Sequence, residues 1–330
     1  MLAVRIAVLA LLAVLVAPIA RAQTYRPDGA WSTMCDNLRR CSAFGYASES
    51  ESNAYVHVSR GGEPGAQFAV ELVVQSDGAA RDRKLVAIVH GRGAQRTFSV
   101  GPLDAVSDGA FAHAIVPAPM GGLFAASWRD ARSLEIRLVD RAAPDERGTV
   151  SLAGSTAALR AMDAQQLHRG PPPLAPVVTA RLMRDLPTPA APGPNPAPNA
   201  DPICASAPEM WIALGPGERL RGVCTEGGAY NIVYRFFRIA PGRRPEPVSF
   251  PVPWRAGGAN DGTLVNPDLS KDGLLLTGFS KGIGLGTCGE ASDWVWTGRA
   301  FRLFRFAEMR ECRGVTSDSW PVLYQARMVR

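Results

Sequence analysis

The sequence predicts a mostly β protein of two domains joined by a Pro-rich linker. Three observations carry this. Short apolar or alternating runs, separated by Gly, Asp and Pro clusters, recur on both sides of one Pro-dense segment. Gly170 to Pro202 is too rich in proline to form helix or inner strand. Six cysteines, all beyond residue 34, suggest covalent staples for loop-rich β structure.

The chain opens on a basic start with Arg5, an apolar stretch from Ile6 to Ala20, and small residues at Ala20 and Ala22. This is the pattern of a secretory signal, residues 1–22, cleaved after Ala22. A membrane anchor needs ~20 apolar residues, and Pro18 and Arg21 cut this stretch short. No second stretch is long enough, so no transmembrane segment is expected after signal removal, and the expected location is periplasmic or secreted. Without Arg5 and Arg21, 34 basic and 30 acidic residues leave a formal charge of +4. The basic residues are scattered, which argues against a nucleic-acid partner.

In an oxidising compartment, Cys35, Cys41, Cys204, Cys224, Cys288 and Cys312 read as disulfides. Six cysteines allow 15 pairings. Proximity favours Cys35–Cys41, Cys204–Cys224 and Cys288–Cys312. The competing zinc reading lacks the usual C-x₂-C spacing.

The N-terminal domain, residues 23–169, has strand candidates at Gln67–Gln75, Lys84–Val89, Thr97–Val100, Ala112–Val116 and Leu134–Val139. One helix follows: Ser155 as N-cap, one face of Ala158, Leu159, Met162 and Gln166 or Leu167, His168 at the negative end, and Gly170-Pro171 as the stop. Many strands and one helix predict a β-sandwich-like domain. The linker, residues 170–202, is expected to be an extended spacer. The C-terminal domain, residues 203–330, reads as antiparallel β. Its strand candidates are Tyr230–Ile239, Gly273–Thr277, Trp294–Trp296, Ala300–Phe306 and Val322–Met328. Trp294 and Trp296 share a core face, and their hairpin turns near Gly298.

Three motifs imitate known chemistry. Gly278-Phe-Ser280-Lys-Gly282 matches the nucleophile elbow of serine hydrolases, but every histidine (His57, His90, His113, His168) precedes Ser280 and no helix follows. Gly284-Leu-Gly286-Thr-Cys288-Gly289 matches a dinucleotide fingerprint, but a strand pattern follows where a helix is required. It reads as a tight loop, and no cofactor is expected. Asp268-Leu-Ser270-Lys-Asp272-Gly273 copies half of a calcium loop and has Phe279 at the twelfth position, where a carboxylate belongs. An Asx-rich turn explains the same residues, and no metal site is expected. The histidines show no metal-ligand spacing.

Other residues look like a signature. They are Trp31-Ser-Thr-Met-Cys35-Asp36-Asn37-Leu-Arg-Arg-Cys41-Ser-Ala-Phe-Gly45-Tyr46, then Ser151 to Gln165, then Phe279-Ser-Lys281-Gly282-Ile283-Gly284-Leu-Gly286-Thr-Cys288-Gly289. Trp294-Val-Trp296-Thr-Gly298 and Glu311-Cys312-Arg313-Gly314-Val315 complete it. In this order they resemble the domain of unknown function 1176 family over most of the chain. The opening also resembles the invasion-associated locus B family. The resemblance implies an exported envelope protein of Gram-negative bacteria with no established activity; Ile283 departs from a more polar family residue.

Candidate ligand contacts are Asp36 and Asn37, inside the ring closed by Cys35 and Cys41, together with Lys281, Glu290, Asp293 and Arg313. Asp36 and Asn37 also suit a purely structural role, bonding nearby amides. Arg313 has the fork to clamp a carboxylate, with Glu290 or Asp293 as internal acceptors. No catalytic set assembles. The leading expectation is a non-enzymatic protein that binds an envelope protein or glycan. The alternatives are a carboxylate-dependent hydrolase using Glu290, Asp293 and Glu311, and an inhibitor of extracellular enzymes.

Overall fold

The computed structural model describes residues 26–28, 30–48, 54–76, 83–91, 98–107, 111–139, 146–166, 171–189, 201–255 and 262–330. The expected signal segment and His168 lie outside them. The N-terminal domain contains β1 (Arg26–Asp28), β2 (Trp31–Cys35), β3 (Cys41–Tyr46), β4 (Ala54–Arg60), β5 (Phe68–Gln75), β6 (Lys84–Gly91), β7 (Phe98–Asp104), β8 (Val106–Ser107) and β9 (Phe111–Val116). Helix α1 (Ala118–Ala126), β10 (Ala131–Val139), β11 (Glu146–Ser151) and α2 (Ser155–Gln166) follow. A seven-stranded sheet of order β1-β2-β3-β4-β5-β9-β8 faces a four-stranded sheet of order β11-β10-β6-β7.

Alternation along the strands builds the core between these sheets. Ala43, Val56, Val58, Val70, Leu72 and Val74 point inward to meet Leu85, Ala87, Leu134 and Ile136, all buried. Trp31 closes one end, its ring 5.4 Å from Trp128 and its Nε1 donating to the Ser151 carbonyl at 2.8 Å. Gly45 makes room for it, since a Cβ there would sit 2.5 Å from the indole.

Helix α2 buries Ala158, Met162 and Gln166, the face its periodicity predicts. Its cap differs from expectation. Ser155 is the first helical residue and its buried Oγ has no partner, while the Gly154 carbonyl accepts from the Ala158 amide at 2.9 Å. Helix α1 is absent from the sequence reading because Pro119, Gly121 and Gly122 argue against a helix. Its prolines fall in the first turn, where no amide donor is needed. Gly121 lets the helix lie on β5, its would-be Cβ 2.5 Å from the Phe68 carbonyl oxygen.

The C-terminal domain contains β12 (Val177–Thr179), β13 (Arg184–Leu186), β14 (Met210–Gly215), β15 (Glu218–Gly227), β16 (Ile232–Ile239), β17 (Glu246–Pro247) and β18 (Thr263–Val265). It continues with β19 (Asp268–Leu269), β20 (Leu276–Lys281), β21 (Gly289–Trp296), β22 (Phe301–Met309), β23 (Val322–Gln325) and β24 (Arg327–Val329). One sheet runs β13-β14-β15-β16-β17 with β18 also on β16, and another runs β19-β20-β21-β22-β23. Phe236, Phe250, Trp294, Trp296 and Phe301 are buried in one cluster, with Phe250 at 5.4 Å from Trp294 and 5.0 Å from Phe301.

The Pro-rich segment is not a bare spacer. Its proline-free window, residues 177–186, keeps its amide donors, and the two strands among its described residues pair with C-terminal partners. β12 lies parallel to β24, and β13 forms an edge beside β14. Ala180 covers Val295 on the outer face of β21, so the end of that strand, Trp294 to Trp296, is buried on both sides.

The disulfides join Cys35 to Cys41, Cys204 to Cys224 and Cys288 to Cys312. The two domains share one core. Met34, Phe44, Tyr46, Tyr55 and Val73, on the outer face of the seven-stranded sheet, belong to the same buried cluster as Met309, Trp320 and Leu323. Burying a large apolar side chain contributes about 1.5–3 kcal/mol, so these residues make the junction a packed interface. Among the described residues, no helix is long and apolar enough to cross a membrane.

Candidate functional site

The outer face of the seven-stranded sheet also carries polar residues. β3, β4 and β5 are antiparallel neighbours, with Ser42 opposite Ser59, Phe44 opposite His57, and His57 opposite Glu71. On the next strand, His113 lies opposite Val73. Because side chains alternate, Ser42, His57, Ser59, Glu71 and His113 all share the face turned toward the C-terminal domain.

Ser42, His57, Glu71 and His113 form a continuous chain of contacts. His57 Nε2 lies 3.0 Å from Ser42 Oγ, and His57 Nδ1 lies 3.5 Å from Glu71 Oε2. Glu71 Oε1 meets His113 Nδ1 at 3.0 Å. An ionised carboxylate only accepts hydrogen bonds, so each Nδ1 donates to Glu71, and in a neutral His57 ring Nε2 then accepts from the Ser42 hydroxyl. The His57 ring is held flat on Phe44, centroids 4.3 Å apart. Hydrogen bonding from His57, and then from His113, holds the Glu71 carboxyl below its ordinary range against the opposing effect of burial. With 17% and 21% of their side chains exposed, His57 and Glu71 are sheltered yet reachable.

Ser42, His57, Ser59 and Glu71 open into a cleft of about 410 Å³ at the domain junction, the size of a small-molecule site. Arg40, Arg60 and Gly61 line one side, and Asp318, Ser319, Trp320 and Pro321 the other. The N-terminal wall is braced. Asp36 accepts from the Leu38 amide at 2.8 Å, the Arg40 amide at 2.7 Å and Arg40 Nε at 2.6 Å, while burial raises its carboxyl above the ordinary value. Arg60 pairs with Asp163 at 2.6 Å and Gln166, and Gln166 Nε2 donates to the Arg39 and Gly61 carbonyls at 2.7 and 2.8 Å. Among the described residues, no three His, Cys, Asp or Glu side chains are grouped to hold a metal ion.

Of the sequence-derived candidates, only Asp36 lines this cleft. Asn37 bonds across the domain junction, donating to the Gln325 carbonyl at 3.0 Å and accepting its amide at 2.8 Å. Lys281 ends β20, its backbone held on both sides by Asn231. Arg313 reaches the Ala47 carbonyl at 3.2 Å, where the sequence reading expects Glu290 or Asp293. Glu290 pairs instead with Arg255, and Asp293 lies 3.8 Å from Arg305, its carboxyl raised by burial. Glu311 has a buried Oε2 without a partner, and burial raises its pKa too.

The three imitative motifs all lie on hairpins. Ser280 sits within β20, and the Gly284–Gly289 loop leads directly into β21. Gly289 takes a positive φ of 137°, and a Cβ there would collide with the Ser280 carbonyl. Asp272 accepts from Ser270 Oγ at 2.7 Å and the Leu274 amide at 3.1 Å, which is an Asx turn.

The sequence reading missed Ser42, Glu71 and the coupling of His57 to His113. Strand register alone brings them together, and β3 and β4, which carry Ser42 and His57, are not among the bounded strand candidates. The available signal was a polar residue beside a small or apolar one, Ser42 beside Ala43 and His57 beside Val58.

A family model described as "Protein of unknown function (DUF1176)" matches residues 29–204 and 197–327. The chain is 27% identical to the uncharacterized protein YpfG of Escherichia coli K12, across 54% of this chain and 60% of that relative. The alignment thus spans less than two thirds of the relative's length. The crystal structure of invasion associated protein B from Bartonella henselae is similar at 17% identity and a TM-score of 0.32, covering 44% of this chain and 99% of that one.

Proposed function

The chain belongs to the DUF1176 family of proteins of unknown function, and from that premise we propose that it is an exported cell-envelope protein that binds a glycan fragment in the cleft between its two domains. The cleft carries the proposal: it presents serine hydroxyls, His57 and two guanidinium groups beside the apolar Pro321 and Val322. Hydroxyl-rich ligands need such a mixture of donors, acceptors and apolar contact. The three disulfides suit an oxidising compartment, and the signal-like residues 1–22 suit export. The division into residues 23–169, 170–202 and 203–330 belongs to the same proposal, with residues 177–186 assigned to the C-terminal body on their strand pairing.

Thermal unfolding of the disulfide-intact protein with soluble muropeptides and other envelope oligosaccharides tests it. A ligand at ~100 times its Kd stabilises by about 2.7 kcal/mol, so at least one should raise Tm by several degrees. No shift from any of them at millimolar concentration contradicts the proposal.

A further inference from the structure

We propose that Ser42 is an acyl-accepting nucleophile, with His57 as its general base and Glu71 as the residue that positions His57, so that the cleft hydrolyses an ester carried by a hydroxyl-rich ligand. The inference rests on the cleft being the ligand site, and adds chemistry to it. Its basis is a connected arrangement: Ser42 Oγ to His57 Nε2 at 3.0 Å, and His57 Nδ1 to Glu71 Oε2 at 3.5 Å, opening into a cleft of about 410 Å³. Each ring nitrogen faces the group that serine-nucleophile chemistry requires, and such constellations recur on unrelated folds and are recognised by geometry. Chain order, which excludes Ser280, sets no obstacle here, because three adjacent strands supply the three side chains.

Two features go beyond what a structural network needs. Glu71 is braced from its other oxygen by His113 Nδ1 at 3.0 Å, and Phe44 fixes the His57 ring by stacking. Together they hold the imidazole in one tautomer and one plane, the condition for directed proton transfer. Arg40 continues β3, its carbonyl accepting from the Asp36 amide at 2.9 Å, and alternation puts it on the same face as Ser42. Its Nε is taken by Asp36, and its guanidinium is the cation assigned to a developing oxyanion, in place of ladder amides already paired within the sheet.

The steps balance. Ser42 Oγ bonds to the ester carbonyl carbon while His57 Nε2 takes the hydroxyl proton. The carbon–oxygen bond to the alcohol then breaks, and that proton passes to the departing oxygen. Water repeats the sequence on the acyl-serine, releasing the carboxylic acid and restoring Ser42.

The test is covalent labelling of the full disulfide-intact chain with a fluorophosphonate probe, followed by peptide mapping. The expected result is one adduct, on Ser42. His57→Gln should slow labelling by about 10²–10⁴-fold. Glu71→Gln should slow it and alter its pH profile, and Glu71→Asp should restore part of the rate. Ser42→Ala should abolish the adduct. An unlabelled wild-type protein, an adduct elsewhere (Ser280 included), or an unchanged rate in folded His57→Gln overturns the proposal. Mapping on the wild-type chain decides the nucleophile even if a variant fails to fold. Absence of an adduct with a retained Tm shift removes the hydrolytic step alone; absence of both removes the binding reading as well.

Discussion

Glu71 shows how a residue's chemistry depends on what the sheet sets beside it. Two imidazole Nδ1 atoms on neighbouring strands keep its carboxyl below the ordinary range. A depressed folded-state pKa contributes stability that is present above the unfolded value of ~4.3 and is lost as pH falls through the lower folded value. Acid titration of urea stability should therefore show a loss below about pH 4 that Glu71→Gln reduces. An identical acid limb in the variant would contradict the assignment. Asn37 illustrates the complementary case. Its amide closes two hydrogen bonds on the Gln325 backbone across the domain junction, and at about 0.5–1.5 kcal/mol each, Asn37→Ala should lower stability by roughly 1–3 kcal/mol in urea denaturation.

At the scale of elements, β3 decides most. It is buried on both faces, with Ala43 toward the N-terminal core and Phe44 and Tyr46 toward the C-terminal domain. Gly45 is the one residue on it that admits the Trp31 ring. Gly45→Ala should cost about 1–3 kcal/mol through overpacking, read as a lower midpoint in denaturant with an unchanged slope. This double burial also limits what the sequence discloses. Strands with one wet face, such as β6 and β9, announce themselves by alternation, and the face of α2 follows from its 3.6-residue period. β2 and β3 are apolar or small on both sides, so they show no period and read instead as the flanks of a small cysteine ring. The site is harder still. Ser42, His57 and Glu71 are separated by 15 and 14 residues, and only the register of three strands, two of them missing from the strand candidates, aligns them. The Trp294–Trp296 hairpin was legible because turn and core residues agree, with Thr297 and Ala300 bonded across Gly298 at φ 90°.

For the whole molecule, two domains are legible from the Pro-dense segment, but their union is not. The sequence suggests a spacer, whereas apolar side chains of the seven-stranded sheet and of the C-terminal sheets share one buried cluster. Such a junction couples the domains, so unfolding followed by far-ultraviolet circular dichroism and by tryptophan fluorescence should give coincident transitions. Two separated transitions would contradict a shared core. The cleft exists only because the domains meet, with Arg40 and His57 from one and Asp318 and Trp320 from the other.

The most direct test of that cleft as the functional site is hydrogen exchange with and without the muropeptide that raises Tm most. Protection should concentrate in residues 36–42, 57–61 and 317–322, on both domains at once. Protection confined to one domain, or centred on the Gly284–Gly289 loop, would contradict the account.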